Sequence, residues 1–352
     1  MNSPLDLESE LGGSEARAKL ERIAGRIRSA REILITSHVH PDGDALGSEL
    51  ALAFALRKLG KAVRVVNDHR APEKYAFLDP GGLIEILSGE PPADAFPQVD
   101  LAILLDTSEP SRAGRLAKRF FGTNWDRICL DHHPGPEDSR FLLHWVADRA
   151  PATGTLVLRL IDFLGVPLDR PIATALFVAI ATDTGWFHFA NTLPSTLRDA
   201  GRLVEAGVEP EEIHNRVYGE SSLARLRLLG KLLCEIRSEL DGRFAWALLS
   251  RAELQRAGVP TQELDGFSEQ LKSVRGADVV ALVLETAPGS YKVSLRSRGD
   301  ADVRAIAADL GGGGHEKAAG CRLEGSWDDV LSRLRARVKA SLPGGGPPAG
   351  GR

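Results

Sequence analysis

The sequence predicts an α/β protein: a mostly parallel sheet with helices on both faces, followed by a smaller α+β domain. Three observations predict it. Short, fully apolar β-like runs alternate with helical runs through the first half of the chain, the pattern of a sheet covered on both faces. A chain of 352 residues is longer than one usual domain. Near Cys234 the pattern changes to hairpin signals, the first with a tight Asp241-Gly242 turn.

In chain order, residues 1–13 read as a loose leader, and helical spacing starts at Ser14 with Leu20, Ile23 and Ile27. The β-like run Ile33–Thr36 precedes a helical run, Ala45–Leu59. Ala62–Val66, Leu101–Leu105 and Ile128–Leu130 read as further strands, with helices near Gly154–Leu164 and Ile172–Thr182. Residues 195–233 are helical in pattern, with no strand. The expected organisation is therefore a first domain over 14–195, a helical linker over 196–232 and a second domain over 233–342. In the second domain, Cys234–Leu240 pairs with Arg243–Leu249, and Ala277–Leu284 with Tyr291–Arg296 through Pro288-Gly289. Helices are expected at Glu263–Lys272, Val303–Ala308 and Trp327–Ala340. Residues 343–352 are rich in Gly and Pro and are expected to be disordered.

Bulk properties narrow the function classes. A net charge of -4 gives no global pull toward nucleic acid or membrane, so a bound polyanion must be held by local Arg, Lys or metal. Cys129, Cys234 and Cys321 are far apart with no CxxC spacing, which fits reduced cysteines of a cytoplasmic protein and excludes a thiolate metal site. The polar, acidic N-terminus is not a signal peptide. The most apolar run, Ile172–Ala181, is too short to span a bilayer, so no membrane partner is expected.

The chemistry concentrates where apolar runs end. Residues 37–48, SHVHPDGDALGS, place His38, Asp42 and Asp44 between a strand and a helix, on the side of a parallel sheet where ligands bind. Two carboxylates packed together call for a cation, and hard oxygens with an imidazole suit Mn or Mg. The same residues also read as a polar turn with an N-cap Asp. Three more apolar runs end alike: Leu101–Leu105 in Asp106, Ile128–Leu130 in Asp131-His132-His133, and Ile172–Thr182 in Asp183. In a parallel sheet these ends converge on one rim. His38, Asp42, Asp44, Asp106, His132 and Asp183 supply enough ligands for two divalent ions if one carboxylate bridges, an arrangement suited to phosphoester cleavage. His133 is then free to donate to the phosphate or the leaving oxygen, and Asp131 to orient a histidine.

With its spacing His38-x-x-x-Asp42-x-Asp44, then Asp106, Asp131-His132-His133 and Asp183, the chain resembles the DHH phosphoesterases. Residues 311–320, GGGGHEKAAG, resemble the signature of their DHHA1 domain. The likeness covers about residues 15–340 and is strongest to the bacterial nanoRNase and pAp-phosphatase branch. Neither the OB domain of the long RecJ exonucleases nor the membrane and sensory domains of cyclic-di-AMP phosphodiesterases is expected. The resemblance implies two Mn2+ ions, with Mg2+ as the alternative. His38 and Asp42 would hold the first, Asp44, His132 and Asp183 the second, and Asp106 would bridge. His40 becomes a bystander, while Gly47 and Ser48 let the following helix start close to the metals.

In the second domain, four glycines before His315 let backbone approach a ligand closely, although a plain flexible turn before a helix is the simpler reading. Ser294 and Arg296 share one strand face by alternation, and Arg suits a bidentate phosphate contact. Arg275 is a weaker candidate. The resemblance implies that Gly312, Gly313, Gly314, His315, Ser294 and Arg296 grip the nucleotide or terminal phosphate. Two domains and a linker suggest a cleft with a fixed distance from grip to metals, which favours short substrates. Trp186, Phe187, His188 and Phe189 either line it or pack in the core. The expected function is hydrolysis of short oligoribonucleotides to mononucleotides and of 3′-phosphoadenosine 5′-phosphate (pAp) to AMP and phosphate. The alternatives are a linear or cyclic dinucleotide phosphodiesterase and a non-catalytic nucleotide sensor. A homodimer is compatible with each.

Overall fold

Six strands build the sheet of the first unit: β1 (Glu32–Thr36), β2 (Ala62–Asn67), β3 (Ile84–Ile86), β4 (Leu101–Leu105), β5 (Asp126–Asp131) and β6 (Leu143–Val146). They run in the order β3-β2-β1-β4-β5-β6 and every pairing is parallel. The computed structural model describes residues 13–342 except 93, 94, 97, 220 and 265, so the expected tail, and the leader but for Gly13, fall outside the described residues.

Alternation along the strands explains why both faces are covered. Ile33, Ile35, Leu101, Ile103, Leu105, Ile128 and Leu130 enter one core, under helices Gly13–Ser29, Gly43–Lys58, Thr153–Leu164 and Arg170–Asp183. Leu34, Ala102, Leu104 and Cys129 point the other way, onto Leu116, Phe120 and Phe141. A strand buried on both faces reads as an unbroken apolar run. The short β3 and β6 carried no such signal and were not anticipated.

Helix Gly43–Lys58 begins before Ala45, because Asp42 caps it by accepting from the backbone N–H of Asp44 and Ala45, both at 3.1 Å. Gly47 therefore lies inside the helix rather than at its start. A β-carbon there would come within 2.3 Å of the Ala175 carbonyl oxygen, and one at Gly154 within 2.5 Å of Ala179 Cβ. These glycines let three helices meet closely, immediately beneath the ends of β1 and β4.

The chain divides into two compact units at residues 220/221, so the helical stretch 196–232, expected to combine the end of the first domain with a connecting helix, is shared between them. Helices Pro194–Glu205 and Pro210–His214 bury Leu203 and Ile213 in the first core. Helix Leu223–Cys234 instead buries Leu228 and Leu232 in the second unit. Each piece follows the core that takes its apolar face.

The second unit holds a mixed sheet of β7 (Arg237–Glu239), β8 (Phe244–Leu249), β9 (Val279–Ala287), β10 (Ser290–Ser297), β11 (Gly313–Gly314) and β12 (Ala318–Glu324), in the order β11-β12-β10-β9-β8-β7. The two expected hairpins form, the first turning through Leu240, Asp241 and Gly242, all with positive φ. Helices Phe267–Leu271, Val303–Asp309 and Trp327–Ser341 match the expected helical regions, the first being shorter. The run after the glycines is strand β12, not a helix: Ala319, Cys321 and Leu323 alternate into the core.

Candidate active site

The carboxyl ends of β1, β4 and β5 converge, with β1 beside β4 where the strand order reverses. His38 follows β1, Asp106 follows β4, and Asp131 ends β5 ahead of His132 and His133. Asp44 enters from the first turn of helix Gly43–Lys58, and Asp183 from the last residue of helix Arg170–Asp183. Among the described residues, three sets of metal-type donor atoms lie within 4.8 Å of one another: His38, Asp42 and Asp106; Asp44, His132 and Asp183; and Asp106, His132 and His133.

Asp106 connects the first two sets. Its Oδ2 is 3.3 Å from His38 Nε2, and its Oδ1 is 3.7 Å from His132 Nε2. Its φ of 60° turns the side chain sharply off the end of β4, and Thr153 Oγ1 donates to Oδ1 at 3.0 Å. Asp42 Oδ2 is 3.9 Å from His38 Nε2. Asp44 is fully buried and accepts from the backbone N–H of Thr153 (2.6 Å) and Gly154 (2.8 Å), and from Ser48 Oγ (3.1 Å). Helix Thr153–Leu164 starts at Ala152, which has no capping side chain, so Asp44 caps it from another helix.

Both histidines are set in one tautomer. His38 Nδ1 donates to the Val39 carbonyl at 2.8 Å, and His132 Nδ1 to the Ala150 carbonyl at 3.2 Å. Each Nε2 then carries a lone pair facing carboxylates. His132 Nε2 is buried without a hydrogen-bond partner, yet it lies 3.2 Å from Asp183 Oδ2 and 3.7 Å from Asp44 Oδ2. A lone pair ringed by anions requires a cation between them. Ligand atoms about 2.1 Å from a six-coordinate ion sit about 3 Å apart, near this spacing. Carbonyl-anchored imidazoles are also how metal-ligating histidines are held. The donor set fits divalent metal.

The electrostatics agree. Burial, reinforced by Asp44 and Asp42, pushes the Asp106 carboxyl well above the usual carboxylate range. Burial also raises Asp44, and burial with the Asp44 charge raises Asp183 to about 7. Burial opposes charge on His132, but Asp44, Asp183 and Asp106 together outweigh it and lift the imidazole to about 9. Without another cation the cluster would take up protons to relieve its own repulsion.

Asp131 is buried behind this rim. Its Oδ1 accepts from His133 Nδ1 at 2.8 Å and from the His133 backbone N–H at 3.0 Å. Burial works against its charge, but these hydrogen bonds and the His133 charge hold its carboxyl below the usual range. His40 is turned away from the donors: its φ is 56°, and its ring packs on His69 at 4.0 Å. Thr153 and the Gly154 N–H were missed from sequence. Their only signal was a Thr at the start of an uncapped helix.

Trp186 and Phe187, both with positive φ, turn back onto Phe177 and pack against the core. They form no open stacking platform, whereas His188 is exposed.

In the second unit, Ser294 of β10 stands opposite Gly320 of β12, which stands opposite Gly313 of β11. Ser294 and Arg296 share the half-buried face of β10, while Val293 and Leu295 fill the core behind. Gly312, Gly313, Gly314 and His315 are exposed at and beside β11, with β12 between them and β10. A β-carbon at Gly312 would lie 2.1 Å from the Gly320 oxygen, and one at Gly314 2.6 Å from the Ala318 oxygen, so both glycines are needed for β11 to approach β12. Arg275 stands apart, exposed in the loop leading into β9.

Comparison with known proteins agrees with this architecture. Residues 32–180 match the DHH family, N-terminal domain, and residues 244–342 match the DHHA1 domain. A relative in Thermus thermophilus, the bifunctional oligoribonuclease and PAP phosphatase NrnA, is 35% identical over 91% of this chain and 94% of its own. An exopolyphosphatase-related protein from Bacteroides fragilis has the same fold, with a TM-score of 0.84 at 24% identity over 92% of this chain and 96% of that one. Thermus thermophilus RecJ, solved in complex with Mn2+, has a TM-score of 0.54 at 15% identity, covering 95% of this chain and 55% of RecJ. Strand-end carboxylates beside an Asp-His-His run, a glycine-rich edge in a second unit, and a relative matched from end to end place the chain in the DHH family of phosphoesterases, in the branch that joins a DHH domain to a DHHA1 domain.

Proposed function

We propose that the chain is a two-metal phosphoesterase that hydrolyses short oligoribonucleotides to mononucleotides and pAp to AMP and phosphate, in the cytoplasm. The observation that carries it is Asp106, whose two carboxylate oxygens face two separate donor sets. His38, Asp42 and Asp106 would hold one cation, and Asp106, Asp44, His132 and Asp183 would hold the other. The donor chemistry favours Mn2+, with Mg2+ second. Bound there, the pair supplies Lewis acidity toward the phosphoryl group and lowers the pKa of water. The similarity to a protein named for both activities supports the substrate class.

The chain's own residues do the rest. Val39 and Ala150 carbonyls hold the His38 and His132 rings with Nε2 inward. Asp131 accepts from His133 Nδ1 and orients the ring, and His133 Nε2 donates a proton to the leaving oxygen as the phosphorus–oxygen bond breaks. Water supplies the oxygen that joins phosphorus and loses one proton to solvent, from which His133 is reprotonated. Ser294, Arg296, Gly312, Gly313, Gly314 and His315 bind the terminal phosphate or nucleotide, with Arg275 as an outlying cation.

The test is a Mn2+-supplemented panel of two- to five-residue oligoribonucleotides, pAp, and linear and cyclic dinucleotides, with metal content measured by equilibrium dialysis. Two ions per chain, with turnover of short RNA and pAp, is the expected result. Turnover unaffected by chelation would sink the metal mechanism, and tight nucleotide binding without turnover would identify a sensor.

A further inference from the structure

The most informative unassigned group is a carboxylate in the second unit. Arg296 Nε donates to Glu269 Oε1 at 2.5 Å, and Lys272 Nζ lies 3.0 Å from the other oxygen, Glu269 Oε2. Arg296 Nη1 donates to the Leu295 carbonyl at 3.0 Å. One carboxylate thus holds two cations from two elements, and Arg296 lies 27 residues from Glu269 in sequence. All three side chains are half-buried, with 24%, 31% and 22% exposure for Arg296, Glu269 and Lys272. Helix Phe267–Leu271 is anchored by Phe267 and Leu271 in the core that covers the same face of the sheet, so Glu269 is carried on a fixed support.

The consequence for Arg296 is geometric. Nε faces the carboxylate and one Nη1 hydrogen faces a backbone carbonyl. The guanidinium plane is therefore fixed, with Nη2 and the second Nη1 hydrogen left as an end-on fork. Such a fork matches two oxygens of a phosphate. Lys272 brings a second positive charge to the same carboxylate, and the trio keeps a net charge of about +1.

We propose that Glu269 is a positioning residue that fixes Arg296 and Lys272 as a paired grip for a terminal phosphate monoester of the substrate. The inference rests on the reading of this unit as the substrate grip and adds a positioning residue to it. A monoester bears more negative charge than an internal diester and offers the oxygens that both cations can share. An unheld Arg and Lys would lose side-chain entropy on binding, which the carboxylate has already removed.

The experiment compares Glu269→Ala, Glu269→Gln, Lys272→Ala and Arg296→Ala with the wild-type full chain, loaded with Mn2+. Substrates are a 5′-phosphorylated diribonucleotide, its 5′-hydroxyl counterpart, and bis(p-nitrophenyl) phosphate, a diester with no nucleotide end. Glu269→Ala should raise KM for the 5′-phosphorylated substrate about tenfold, the scale of one charge-assisted hydrogen bond, with a smaller change in kcat. KM for bis(p-nitrophenyl) phosphate should move far less. Glu269→Gln keeps an acceptor for Arg296 Nε and should recover part of the loss. Lys272→Ala should raise KM for the 5′-phosphorylated substrate by a smaller factor. A lower KM in Glu269→Ala would overturn the proposal, because the carboxylate would then be competing with substrate. An unchanged KM in Glu269→Ala and Glu269→Gln, beside a raised KM in Arg296→Ala, overturns this inference alone. An unchanged KM in Arg296→Ala overturns both it and the reading beneath it.

Discussion

Asp44 and Asp106 keep only 1% and 2% of their side chains in water, whereas Arg296 and Glu269 in the second unit keep 24% and 31%. The two regions manage charge in opposite ways. In the first unit four aspartates, Asp106 among them, and three histidines supply the donors, and the negative charge exceeds what the histidines can balance. In the second, each anion already has its cation: Glu269 lies between Arg296 and Lys272. A buried cluster of like charges cannot remain ionised without a counter-ion, so its composition already declares a ligand. A half-exposed, internally paired cluster is stable as it stands, and its role has to be read from the geometry it imposes.

The largest effect should come from breaking the first arrangement at its shared residue. Asp106→Asn keeps the shape but removes the charge facing both donor sets. Turnover should fall by more than the roughly 10- to 100-fold typical of losing a mere supporting partner of a metal ligand. Stability should move the other way. Because burial and neighbouring carboxylates push Asp106 well above its usual range, its ionised form weakens the metal-free fold at neutral pH. In excess chelator the Asn variant should therefore melt higher than wild type. A lower melting temperature in chelator would mean that the Thr153 hydrogen bond, not charge relief, dominates at this position.

Metal removal should separate the units. If metal is present at about 100 times its dissociation constant, it stabilises the fold by about 2.7 kcal/mol per site. For a unit of this size that corresponds to roughly 5–10 °C in melting temperature per site, or roughly 10–20 °C for the two sites together. Chelation should lower the first unit's transition by that amount and leave hydrogen exchange in β9 and β10 unchanged. Equal loss of protection in β4 and β10 would break the comparison, because the second unit would then depend on the metal too.

A smaller effect is expected from Gly47→Ala. Its β-carbon would meet the Ala175 backbone oxygen at 2.3 Å, and a carbonyl inside helix Arg170–Asp183 cannot move independently. Overpacking of this kind costs about 1–3 kcal/mol. The displaced helix carries Asp44, so metal affinity should weaken along with stability, as read by dialysis and thermal melts. Loss of stability with unchanged metal affinity would show that the glycine serves packing alone.

The sequence made the first region legible because a parallel sheet brings the ends of separate strands together. His38, Asp106 and Asp131-His132-His133 each follow an apolar run, and alternation alone predicts that they share a rim. What stayed hidden was held by backbone. The Ala150 carbonyl that sets His132, and the Gly154 N–H that Asp44 caps, leave no mark in residue identity. The second region was less legible for a related reason. β11 and β12 pair two glycines with Gly320 and Ala319, and a glycine-rich strand carries no alternation to read. Glu269 gave no signal because its partner lies on a different element. Trp186 and Phe187 could be read from sequence either as cleft lining or as core, and the positive φ that turns them inward is not foretold by their residue types.

The smallest stability effect should come at Gly313, and it sharpens the comparison most finely. Gly312 and Gly314 are held against β12 by contacts a β-carbon would violate, but a β-carbon at Gly313 meets nothing within 4 Å. Gly313→Ala should therefore change stability by no more than about 0.5 kcal/mol, as for an unconstrained surface position. Gly312→Ala, aimed at the Gly320 oxygen, should be clearly destabilising. If the open space over Gly313 receives substrate, its added methyl should raise KM for a short oligoribonucleotide a few-fold while the melting temperature stays put. That combination cannot arise from folding. If Gly313→Ala leaves both KM and melting temperature unchanged, the glycine run serves only to pack β11 against β12, and recognition in this unit passes to the Arg296, Glu269 and Lys272 group.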